Sequence, residues 1–166
     1  MDQEIYRLSE RLGTLLKERG VVLATAESCT GGWISQAITM VPGSSNWFDC
    51  GFVTYTNRSK EEVLGVRAGT LEHHGAVSEL TVREMAEGAL QRTHADCSVA
   101  VSGVAGPGGG SADKPVGRVW LAVSVRDRAT QAKCLQFNGD RDAVRRQTVI
   151  AALQVLIETV GAPHIA

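Results

Sequence analysis

Apolar residues near the N-terminus recur at helical spacing. Ile5, Leu8, Leu12 and Leu15 predict an amphipathic helix over residues 3–19, ended by Gly20. The pattern then changes period. Val21-Val22-Leu23-Ala24 is a continuous apolar run and predicts a buried strand over 21–26. A helix from the Ser28 turn to about Met40 follows, then a loop at Val41-Pro42-Gly43-Ser44-Ser45. Phe48 to Thr56 has strand composition. Ser59 opens a short helix, Thr70 caps another, and Ser78 caps a longer one with Val82, Met85, Ala86 and Ala89 inward. Asp96 to Val101 is a buried strand leading into a glycine-rich loop, Ser102 to Ser111. Val119 to Val125 and Ala132 to Phe137 form a hairpin turning at Arg126-Asp127-Arg128. The last helix runs from about Arg141 to Val160, with Val149, Leu153, Leu156 and Val160 inside.

Early alternation of helices and strands followed by a late hairpin predicts an α/β fold. The expected form is a single-domain three-layer sandwich over residues 1–166, a mixed sheet with helices on both faces. Ligands in such sheets bind beyond the carboxyl ends of strands. The Ser28 turn, the Tyr55 region and the glycine loop each follow a strand, so they can meet at one edge.

Composition narrows the function classes. Of the 166 residues, 43% are hydrophobic and 21% charged, which suits one globular domain. A net charge of -1 gives no basis for non-specific nucleic-acid or membrane binding. The acidic start Met1-Asp2-Gln3-Glu4 does not resemble a secretory signal, so a cytoplasmic protein is expected. Cys29, Cys50, Cys97 and Cys134 lack metal-ligand spacing and read as reduced thiols; no metal or cofactor is expected. Trp47 and Phe48 fit either a homo-oligomer interface or the core.

Thr25-Ala26-Glu27-Ser28-Cys29-Thr30-Gly31-Gly32 places three nucleophile-capable side chains at a strand-to-helix turn, where the helix's positive end favours negative charge. Ser28 and Thr30 fit helix capping equally well. A serine nucleophile needs a base. Lys60 and Tyr55 are candidates, although a lysine beside Glu61 and Glu62 also suits the surface. Cys29 with His73 or His74 is a second arrangement, giving a thiol enzyme. The glycine loop is neither a Walker A nor a GxGxxG motif, but its backbone can approach an anion closely. Arg141 and Arg145 share a helix face and suit a phosphate monoester.

Several segments together resemble one family. They are Ala26-Glu27-Ser28-Cys29-Thr30-Gly31-Gly32, Gly43-Ser44-Ser45, Gly51-Phe52-Val53-Thr54-Tyr55-Thr56-Asn57, Lys60, Gly75-Ala76-Val77-Ser78, Ser102-Gly103-Val104-Ala105-Gly106-Pro107, Lys114-Pro115-Val116-Gly117 and Gly139-Asp140-Arg141. Their order is similar to that of the CinA C-terminal domain family, in particular its stand-alone nicotinamide-nucleotide amidohydrolases. The resemblance implies hydrolysis of the carboxamide of nicotinamide mononucleotide to nicotinate mononucleotide and ammonia. It implies a Ser–Lys site on Ser28 and Lys60 with Tyr55 as third member, and leaves open which of the last two takes the proton. Thr30, Gly31, Gly32, Asn57, Ser102, Gly103, Gly106, Arg141 and Arg145 are then expected at the substrate, the arginines and the glycine loop at its phosphate. A non-catalytic nucleotide-binding or interaction module is the alternative from another class.

Overall fold

The computed structural model describes residues 1–163. Its elements run α1 (Gln3–Arg19), β1 (Leu23–Glu27), α2 (Trp33–Thr39), a 3-10 turn (Ser44–Asn46), β2 (Phe48–Val53), α3 (Asn57–Leu64), α4 (Ala68–His74), α5 (Glu79–Gln91), β3 (Cys97–Gly103), β4 (Arg118–Val125), β5 (Gln131–Gln136) and α6 (Arg141–Gly161). One sheet is ordered β2-β1-β3-β4-β5. β1 pairs in parallel with β2 and β3, whereas β4 and β5 join antiparallel, so the sheet is mixed as expected.

Residue alternation sorts the two faces. Leu23, Val99, Val101, Leu121 and Val123 point to one side and pack against α1, α2 and α6. Ala26, Ala100 and Ala122 point to the other and meet Leu64, Leu71, Val82 and Met85 of α3–α5. Small side chains on that second face let α5 lie close to the sheet, and Ser98 Oγ donates to the Ala86 carbonyl at 2.7 Å. Burial on both faces leaves the central strands β1 and β3 covered almost throughout, whereas the edge strands β2 and β5 alternate with exposed positions.

This layering positions the site. The chain leaves β1 over one face through α2 to reach β2. It returns over the other face through α3–α5 to β3, on the opposite side of β1. The strand order therefore reverses at β1, and a crevice opens beyond its carboxyl end. Ser28 lies there, between Thr54 after β2 and Ser102 in β3.

Several boundaries differ from the sequence expectation, each for a local reason. In α1 the buried stripe is Ile5, Leu12 and Leu16, with Leu8 and Leu15 only partly covered. The stripe is rotated because Gly13 faces the Trp47 indole; a Cβ there would lie 2.7 Å from Trp47 Cζ2. Trp47 is thus a core residue, with Phe48 packed against that core. β2 ends at Val53, and α3 starts before Ser59, because Thr56 is the N-cap and forms a capping box with Ser59. Thr70 caps nothing: α4 begins at Ala68, and the Thr70 hydroxyl donates to Glu84 at 2.6 Å. No helix among the described residues is long and apolar enough to cross a membrane.

Candidate active site

The site starts from a turn that only part of the sequence motif explains. The Ser28 N–H donates to the Val101 carbonyl at 3.1 Å, prolonging the β1–β3 ladder by one residue. The Gly31 N–H then closes a turn onto the Ser28 carbonyl at 3.0 Å. Gly31 and Gly32 have φ of 61° and 101°, left-handed values that side-chain-bearing residues adopt only at a cost. Gly32, not Ser28, is the N-cap of α2, and Ser28 makes no cap bond to that helix.

The residue that fixes this turn is Glu27, which sequence reasoning passed over. It is fully buried. Its carboxylate accepts from Thr30 Oγ1 (2.6 Å), Ile34 N (2.8 Å), Ser35 N (2.9 Å) and Ser35 Oγ (2.8 Å). A buried carboxylate is tolerated when its lone pairs are satisfied this fully. The consequence corrects an expectation: the positive end of α2 is occupied by Glu27 and is not free for charge developing at Ser28. Thr30 likewise spends its hydroxyl on Glu27. Glu27→Gln replaces one acceptor oxygen with an amide that faces donors, so unfolding by urea should show a loss of about 2 kcal/mol or more.

Lys60 sits one helical turn before Leu64 on the inward face of α3, while Glu61 and Glu62 flank it on the outer side. It is 1% exposed. Its Nζ lies 2.9 Å from Ser28 Oγ and donates to the Thr54 carbonyl at 2.8 Å. No carboxylate among the described residues forms an ion pair with it. Burial without a counter-charge pushes its pKa from 10.5 down to about 8. A neutral amine thus becomes accessible near neutral pH, within hydrogen-bonding distance of a hydroxyl. Thr54 was also missed from the sequence. Its N–H donates to the Glu27 carbonyl at 2.9 Å, which anchors the lysine's acceptor to β1. Its buried Oγ1 has no partner among the described residues.

The start of α6 ties the other segments together. Arg141 donates from Nη1 to the Gly106 carbonyl at 2.9 Å and from Nη2 to the Tyr55 hydroxyl at 2.8 Å. Arg145 donates from Nε to the Cys29 carbonyl (3.1 Å) and from Nη2 to the Thr30 carbonyl (3.2 Å). It also lies over the Trp33 ring, 5.8 Å from the centroid. The three strand-end segments thus meet at one edge of the sheet. Tyr55 is 60% exposed, and no hydrogen bond links it to Ser28 or Lys60. Asn57 is exposed on the first turn of α3. Ser102 is buried at the end of β3, and Gly103 packs against Val119.

Beyond Arg141 lies a cavity of about 510 Å³ walled by Ala105, Pro107, Val116 and the Gly139–Asp142 turn. Ser28 and Lys60 are outside its lining. The thiol arrangement finds less support in the geometry. Burial raises the Cys29 pKa to about 11, so little thiolate forms at neutral pH. No hydrogen bond joins Cys29 to His73 or His74, which end α4.

The family model for the CinA C-terminal domain matches residues 5–160. The chain belongs to the CinA C-terminal domain family. It is 54% identical over 157 residues to nicotinamide-nucleotide amidohydrolase PncC of Escherichia coli K12, covering 93% of this chain and 94% of that protein. The protein of the same name from Pseudomonas putida is 53% identical over 154 residues, covering 93% and 96%. Among solved structures, the competence/damage-inducible protein CihA of Agrobacterium tumefaciens superposes with a TM-score of 0.94. Identity to it is 45%, with 98% of each chain covered. This likeness extends over nearly the whole chain and covers the six helices and five-stranded mixed sheet described above.

Proposed function

We propose that this CinA-family protein is a nicotinamide-nucleotide amidohydrolase that converts nicotinamide mononucleotide and water to nicotinate mononucleotide and ammonia. The observation that carries the reading is the 2.9 Å contact between Ser28 Oγ and the amine of Lys60, buried without a counter-ion. The two relatives named PncC support the choice of substrate.

The chemistry balances with these residues alone. Ser28 Oγ forms a bond to the carboxamide carbon as its proton passes to the neutral Lys60 amine. The tetrahedral intermediate collapses as the C–N bond breaks, and the Lys60 ammonium gives its proton to the departing nitrogen, which leaves as ammonia. Water then attacks the acyl-serine, giving one proton to Lys60. The ester bond breaks, and Ser28 recovers its proton. The fixed positive charge of the pyridinium ring draws electrons from the amide carbonyl, so the reaction needs no metal. Lys60 takes the proton directly, because the Tyr55 hydroxyl is engaged by Arg141 instead. Tyr55 then forms an exposed wall of the site together with Asn57, while Ser102 lines the floor beside Ser28.

Arg141 serves the phosphate. It borders the cavity of about 510 Å³, and its two recorded partners are neutral oxygens that an anion can displace or supplement. Arg141→Ala should raise KM for the mononucleotide by about 10–100-fold and lower kcat far less, as steady-state kinetics would read. The reading as a whole is tested by ammonia release across a panel of pyridine carboxamides, with and without chelator. Rapid release from the mononucleotide that survives chelation is expected. Tight nucleotide binding with no release from any of them would replace the enzyme with a binding module.

A further inference from the structure

Arg145 is committed to the nucleophile turn. Both recorded hydrogen bonds of its guanidinium go to backbone carbonyls, those of Cys29 and Thr30. Its Cζ also lies over the Trp33 ring, 5.8 Å from the centroid. A Cβ built on Gly31 would lie 3.5 Å from Nη2, so the guanidinium packs directly against the turn. Unlike Arg141, Arg145 does not line the cavity of about 510 Å³ assigned to the phosphate.

The bond to the Cys29 carbonyl has a geometric consequence. In a trans peptide the C=O and the following N–H point in opposite directions. Drawing the Cys29 carbonyl toward Arg145 therefore turns the Thr30 N–H away from it. No described residue accepts from that N–H. Cys29 N and Gly32 N also lack a recorded acceptor, but neither belongs to a peptide whose carbonyl Arg145 holds; Ser28 N is taken by Val101, Gly31 N by Ser28 and Trp33 N by Thr30. Val104 N in the glycine loop is taken by Arg118 as well.

The start of α2 adds a second reason. Glu27 accepts the Ile34 and Ser35 N–H groups at the start of α2, so those donors are not available to an oxyanion. Arg145 lies against the turn on the side of the Cys29 and Thr30 carbonyls, away from the Lys60 amine at Ser28 Oγ. We propose that Arg145 is a positioning residue for the oxyanion: it clamps the Cys29 and Thr30 carbonyls, aims the Thr30 N–H at the reacting carbonyl oxygen and places a fixed positive charge behind it. This rests on the amidohydrolase reading and assigns Arg145 to the transition state instead of the phosphate.

The test compares wild type with Arg145→Met and Arg145→Lys in two measurements. One is steady-state ammonia release from nicotinamide mononucleotide; the other is calorimetric binding of nicotinamide mononucleotide to the same variants in a Ser28→Ala background, where the phosphate is bound and no oxyanion forms. For Arg145→Met, kcat should fall about 100-fold, while KM and the ground-state Kd stay within about threefold. Arg145→Lys should recover part of that loss, because one ammonium reaches one carbonyl where the guanidinium reaches two. Weakened ground-state binding with kcat preserved overturns the proposal and returns Arg145 to the phosphate. If Arg145→Met does not fold, Arg145→Lys decides alone. A lowered kcat with unchanged ground-state Kd supports the clamp, and an unchanged kcat or a weakened Kd overturns it. Failure of the parent reading is separately visible, as a wild-type protein that releases no ammonia.

Discussion

Ser28→Ala is expected to lower ammonia release from nicotinamide mononucleotide by roughly 10⁴-fold or more, because it removes the atom that carries the acyl group. The substitution deletes one buried oxygen and leaves Lys60 Nζ still donating to the Thr54 carbonyl. The fold should persist, and nicotinate mononucleotide should bind with near wild-type affinity by calorimetry. That pairing of lost turnover with retained binding separates a nucleophile from a cap. A helix cap would cost about 1 kcal/mol of stability and little activity. The structure already separates the two at the level of geometry, since α2 is capped by Gly32 and Ser28 Oγ faces Lys60.

Lys60→Met should lower kcat by about 10³-fold with KM nearly unchanged, since the base acts only as the proton moves. Met keeps the length and buried volume of the aliphatic stem but cannot accept a proton. The wild-type pH profile follows from the shifted amine. Below about 8 the amine is protonated and cannot serve as base, so kcat/KM should fall about tenfold per unit on the acid side and level off above about 8. Lys60→Met should lose that limb. The same shift has a stability consequence of defined sign. The folded value of about 8 lies below the ordinary lysine value of 10.5. Between those values the unfolded chain binds more protons than the folded protein, so stability rises with pH there. Below about 8 the cost of the buried ammonium is fully present. Relative to Lys60→Met, the wild type should therefore gain stability between pH 8 and 10, as urea unfolding at the two pH values would show.

The legible parts of the fold were those with a strong period. Val82, Met85, Ala86 and Ala89 in α5, and Val149, Leu153, Leu156 and Val160 in α6, are buried as their spacing predicts. Boundaries were less legible because capping competes with propensity. Thr56, inside a β-like run, leaves the strand to cap α3 through Ser59. In the site, family resemblance singled out Ser28 and Lys60, whose side chains meet across 32 residues of sequence. Composition alone would have put Lys60 on the surface with its glutamate neighbours. Burial of that lysine depends on where α3 docks, which no local pattern records. Glu27 and Thr54 were missed for the same reason. A glutamate closing a strand resembles an exposed strand end until the start of the next helix is seen to fold back onto it. The free N–H of Thr30 depends on the Arg145 side chain arriving from 115 residues later.

The covalent step is tested most directly by acid-quenching the enzyme during turnover of nicotinamide mononucleotide and mapping the modified peptide by mass spectrometry. The nucleotide acyl group is expected as an ester on Ser28, absent from Ser28→Ala. An acyl group on Cys29, or full turnover by Ser28→Ala, would contradict a hydroxyl nucleophile driven by the buried amine.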